Sequence, residues 1–110
     1  MTNEEQNWYT FASKLNSFLI DKGYKEEYSN NCRQFYLDNR PYFIIDYENQ
    51  FIHFSQDLYS RWYIMRFDND INEGEYAPDF ELLAKCADEI LTQYKQRIYI
   101  NKLLRIKDDF

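Results

Sequence analysis

The sequence predicts an α+β fold: an N-terminal helix, an antiparallel sheet of three to four strands and a long C-terminal helix, with both helices on one sheet face. Three observations predict it. Apolar residues recur at intervals of three and four at the start of the chain and again after residue 79. Between these stretches they form short alternating or continuous runs rich in aromatic and β-branched side chains, and the connectors between the runs are short. Short connectors favour antiparallel neighbours, and helices flanking a sheet in sequence bury one of its faces.

The first helix opens with Thr2 three residues before Glu5, the spacing of a capping box, and carries Trp8, Phe11, Ala12, Leu15, Phe18 and Leu19 on one side. Glu4, Asn7, Lys14, Asn16, Asp21 and Lys22 occupy the solvent side, and Gly23 marks the end. From about Arg33 four strand-like runs follow, Phe35 to Leu37, Tyr42 to Tyr47, Phe51 to Phe54 and Trp62 to Phe67. Turn residues separate them: 38–41, then Glu48 and Asn49, then a longer 55–60 stretch. With Phe43 and Ile45 facing the helices, Tyr42 and Ile44 point the other way with Tyr36, Tyr63 and Met65; the reverse phase is the alternative. Residues 68–77 read as an acidic loop. Pro78 and Asp79 start the second helix, whose stripe is Phe80, Leu83, Ala84, Ala87, Ile90, Leu91, Tyr94 and Ile98. Beyond Ile98 the apolar residues Tyr99, Ile100, Leu103, Leu104 and Ile106 leave that stripe, and continued helix with a rotated face is expected.

A length of 110 residues fits one domain, 1–110. Hydrophobic residues make up 45% while mean hydropathy is −0.78, because eleven of them are tyrosine. The core is therefore expected to be aromatic, with phenol groups left for the surface. The net charge of −6 and pI near 4.7 disfavour unaided binding to a phosphate backbone. The charge is uneven: residues 1–89 hold eight basic and seventeen acidic side chains, net −9, and residues 90–110 hold five and two, net +3. No apolar run is long enough to span a membrane and the N-terminus does not read as a secretory signal, so a cytoplasmic protein is expected. Cys32 and Cys86 form no CxxC pair, which predicts reduced thiols rather than a disulfide or zinc site.

The inventory for catalysis is poor. His53 is the single histidine, on a strand and without a positioned partner, and no nucleophile, base and orienter can be assembled; neither enzymatic activity nor a cofactor is expected. Asp68, Asp70 and Asn72 copy the first ligands of an EF-hand loop, but Gly74 falls one residue late and a strand precedes, so no metal is expected. The element order resembles that of double-stranded RNA-binding domains, but Asp79 and Glu81 stand where such domains place cations, which excludes that reading.

Binding is left. The run Asp68, Asp70, Glu73, Glu75, Asp79 and Glu81 has no cation between Arg66 and Lys85, and Tyr63 and Tyr76 flank it with aromatic area. Asp68, Asp70, Glu73, Glu75, Tyr63, Tyr76 and Asp79 are the expected partner-binding residues, the carboxylates standing in for phosphates against a basic protein such as a nucleic-acid enzyme. Lys95, Arg97, Lys102, Arg105 and Lys107, interleaved with apolar residues, form a basic amphipathic end. It could dock on the acidic body, self-associate into a homodimer, or meet nucleic acid or a membrane surface. In size, charge and lack of catalytic motifs the chain resembles the small acidic proteins of phages and mobile elements that block nucleic-acid enzymes, such as anti-CRISPR proteins and uracil-DNA glycosylase inhibitors. That resemblance implies a non-enzymatic inhibitor. An immunity protein or chaperone for a basic toxin or client is the alternative, and a direct nucleic-acid binder using the C-terminal cations is the third.

Overall fold

The structure, a computed structural model, describes residues 3–67 and 70–108, with side chains for 6–67 and 70–105. Thr2 and Asp68 lie outside the described residues. Helix α1 spans Asn3–Asp21. It ends as its sequence dictates: Gly23, at φ 103°, takes the left-handed conformation, its N–H donating to the Ile20 carbonyl (3.0 Å) and the Tyr24 N–H to the Leu19 carbonyl (3.1 Å). The reversal buries Tyr24, whose hydroxyl donates to the Ala87 carbonyl at 2.9 Å.

Five strands follow, β1 (Lys25–Ser29), β2 (Cys32–Leu37), β3 (Arg40–Asp46), β4 (Phe51–Ser55) and β5 (Trp62–Arg66), paired antiparallel in sequence order in one sheet. The expected count of three to four is corrected to five by β1. All five of its residues are exposed, so it carries no apolar alternation; its pairing with β2 is set by Asn30 and Asn31, both left-handed at φ 52° and 61°, which close a two-residue hairpin.

One face of the sheet buries Phe35, Leu37, Phe43, Ile45, Ile52, Phe54 and Met65 against Trp8, Ala12, Leu15 and Leu19 of α1 and Leu83, Cys86, Ala87 and Ile90 of the second helix. Each large side chain so buried stabilises the fold by roughly 1.5–3 kcal/mol. Two expected phases are corrected. Phe35 pairs with Phe43 but Tyr36 pairs with Pro41, so Tyr42 is the extra residue of a bulge and turns into the core instead of the far face. Tyr63 and Met65 pair with the core residues Phe54 and Ile52, so β5 presents Trp62, Ile64 and Arg66 to the far side.

Helix α2 spans Phe80–Asp108, so the helical continuation past Ile98 is present. Asp79 caps it, its Oδ1 accepting the Leu82 N–H at 3.1 Å. At 29 residues it is about 43 Å long, against a molecule whose extents are 63 × 28 × 23 Å. Its burial ends early: Ile90 is the last fully buried residue, Tyr94 reaches Asp38 with its hydroxyl (2.7 Å), and every residue from Lys95 to Arg105 is exposed. Among the described residues no helix is long and apolar enough to cross a membrane.

Candidate functional site

The segment after β5 is anchored rather than loose. Its Tyr76 pairs in parallel with Met65, the Arg66 N–H donating to the Tyr76 carbonyl and the Tyr76 N–H to the Ile64 carbonyl, both at 2.9 Å. Gly74, at φ 83°, turns the chain into that pairing, and the Glu75 N–H closes the turn on the Asn72 carbonyl. Arg66 grips Glu75 with a fork, Nε to Oε2 at 2.5 Å and Nη2 to Oε1 at 3.1 Å, and Asn72 Nδ2 donates to Oε1 at 2.8 Å. The bonded guanidinium, ahead of the Asn72 amide, holds the Glu75 carboxyl below its usual range despite partial desolvation. The Tyr76 hydroxyl accepts from Gln56 Nε2 at 2.9 Å, and its ring packs edge-on against Phe54 and Tyr63.

These contacts sort the expected binding residues. Asp70, Glu73 and Asp79 are exposed, as is Glu81, although one Asp79 oxygen serves the helix cap. Glu75, Tyr63 and Tyr76 are half-buried and hold the segment to the sheet. The structure thus gathers Glu73 and Glu75 beside Arg61, Trp62 and Ile64 around a shallow cleft, and turns the Tyr63 ring inward.

The far sheet face, which carries no helix, is the surface that sequence reasoning placed only in part. Cross-strand pairing lines up Glu27, Gln34, Ile44, His53 and Ile64 in one row and Ser29, Cys32, Asp46, Phe51 and Arg66 in the next; Tyr36 and Trp62 lie at its other side. Tyr36, Ile44, Phe51, His53 and Ile64 are half-buried and Trp62 is exposed. Trp62 and Ile64 were missed because the phase of β5 is inherited from its pairing with β4, and Phe51 because its side is set by pairing with Asp46 of β3, neither of which a local pattern encodes.

This face is poorly equipped for chemistry. His53 is pushed below its ordinary value by burial, with Asp46 opposing, so the imidazole is neutral near pH 7. Cys32 shares the face, but burial and then the Asp46 and Glu48 carboxylates raise its thiol, the reverse of what a nucleophile needs. Cys86, on the buried face of α2, is pushed up to about 11 mainly by burial. Among the described residues no group of three or more His, Cys, Asp or Glu is placed to hold a metal ion.

The third surface is the outer half of α2. Ile98, Tyr99, Ile100, Leu103 and Leu104 are 36–64% exposed, and Lys95, Arg97, Lys102 and Arg105 are exposed among them. Where this half leaves the body, a cleft of about 310 Å³ is lined by Leu37, Asp38, Asn39, Arg40, Tyr42, Tyr94 and Arg97. No protein-family model matches the chain, and it matches no curated protein and no solved structure.

Proposed function

We propose that this protein acts without catalysis, by binding a protein with a basic surface through the acidic segment after β5. The observation that carries the reading is the bracing of that segment: Tyr76 is stitched to β5 and Glu75 is forked by Arg66, so Asp70, Glu73 and Glu81 are presented from an ordered support. Fixing carboxylates before contact lowers the entropy lost on binding, and an anionic surface steers a cationic groove that otherwise accepts a phosphate backbone. An inhibitor that occupies such a groove in place of nucleic acid is the finer form of this proposal. Glu75 and Tyr76 then act as positioning residues, and Tyr63 as packing beneath them.

The test uses the full chain and a variant with Asp70→Lys, Glu73→Lys and Glu81→Lys as paired baits for cell proteins. The three positions leave the cap at Asp79 and the fork at Glu75 intact, and the melting temperature of each bait checks that both are folded. A partner held by the native bait, lost from the reversed one and displaced by duplex DNA supports the reading. Equal retention by both baits overturns the surface assignment, and retention of nucleic acid itself overturns the proposal.

A further inference from the structure

Two apolar surfaces are left uncovered by the described residues: the outer half of α2 and the helix-free face of the sheet. We infer that each covers the other between two copies of this chain, the outer half of α2 from one copy lying across the far sheet face of its partner, reciprocally.

Three observations lead there. The outer half does not fold back on its own body; Lys95 to Arg105 are exposed and Tyr99, Ile100, Leu103 and Leu104 stand in solvent. Second, its charge selects its cover. From Lys95 to Lys107 the sequence has five cations and no carboxylate, so pairing two outer halves with each other sets like charges side by side. The sheet face has the opposite bias: Glu27 and Asp46 lie within its rows, Glu48 is exposed beside Cys32, its Arg66 is already engaged by Glu75, and its remaining cations, Lys25 and Arg61, stand at its margin. Body and end carry −9 and +3 on the same chain, so a reciprocal pair neutralises charge twice.

Size is the third. The segment from Lys95 to Asp108 is about 21 Å long as a helix, and five strands spaced by about 4.8 Å give a sheet of matching width. A strip of that length and about 10 Å wide covers about 210 Å² on each side, so two reciprocal strips remove roughly 850 Å² from solvent, the low end of interface sizes, as suits a reversible dimer. Covering the second face turns each sheet into a layer between helices, and the two-fold exchange closes with no outer half left over.

Sedimentation equilibrium of the full chain tests this, with far-UV circular dichroism confirming that each variant is folded. A dimer is expected for the native chain. Leu103→Asp on the helix and Ile64→Lys on the sheet face should each raise its dissociation constant by about 30-fold or more. An equimolar mixture of the two variants retains one intact contact and should form a mixed dimer where neither variant forms its own. Raising NaCl from about 0.05 M to about 0.5 M should weaken the native dimer, because its charges are complementary. A monomeric native chain overturns the inference. So does a dimer that Ile64→Lys leaves intact or that salt strengthens, since those are the marks of two outer halves paired together. Uptake of monomer by anionic lipid vesicles through Leu103 and Leu104 also overturns it and assigns the outer half to a membrane surface.

Discussion

The two halves of α2 share one helix and similar apolar content, yet they do different work. From Phe80 to Tyr94 the helix is bound on all sides that matter: Leu83, Ala87 and Ile90 are fully buried, the Ala87 carbonyl accepts from Tyr24, and Gln93 accepts the Leu58 N–H at 2.8 Å. From Lys95 onward nothing described touches the apolar side chains strongly enough to bury them. The difference lies in reach. Leu83, Ala87, Ile90 and Tyr94 follow steps of four, three and four, and Arg97 and Asn101 continue the series by three and four, yet both are exposed: the helix has run past its own body. Extending a helix beyond its core leaves side chains in solvent at every azimuth without interrupting the backbone.

The comparison is broken most severely by truncating one apolar side chain in each half. Ile90→Ala should lower the unfolding free energy in urea by about 2–5 kcal/mol, and Leu104→Ala should change that of the monomer by no more than about 0.5 kcal/mol. Similar losses at both sites would mean that the outer half belongs to the folding core after all. The start of the inner half is next: Asp79→Ala removes the acceptor for the Leu82 N–H and should cost about 1 kcal/mol, read as a lower melting temperature. At the boundary, Tyr94→Phe deletes the bond to Asp38 on an exposed turn, and a change within about 0.5 kcal/mol is expected.

The smallest effect probes the sheet face that the outer half is inferred to cover. Burial, opposed by Asp46, depresses the folded-state pKa of His53, while Ile44 and Ile64 beside it in its row carry no charge. The unfolded chain therefore binds the proton first. His53 contributes its full stability above its unfolded pKa of about 6.5 and loses it as pH falls through the window below. Urea midpoints at pH 7.5 and 5.5 should differ in that direction, and His53→Gln should remove this part of the difference.

Much of the architecture is legible in the sequence, because helical and alternating periods are local properties. The stripe from Leu83 to Tyr94, the cap at Asp79, the stop at Gly23 and the departure from the stripe after Ile98 all appear as residue spacing. What was illegible is non-local. Strand β1, Lys-Glu-Glu-Tyr-Ser, has no period because both its faces are wet, and only its register with β2 makes it a strand. Tyr42 changes side through a bulge that depends on how β2 and β3 meet, and Trp62 and Ile64 take their side from β4. The acidic run was visible as charge, but the fork between Arg66 and Glu75 required knowing that residue 76 returns to β5.

The wet, charged character of β1 has a further consequence. A sheet rich in Phe, Tyr and Ile is a template onto which stray extended chains could polymerise through either free edge. At one edge Lys25, Glu26 and Glu27 set a charged fringe that an incoming apolar strand must desolvate; at the other the segment ending in Tyr76 occupies part of the donor and acceptor row of β5. Both edges are thereby poor templates for the addition of an apolar strand.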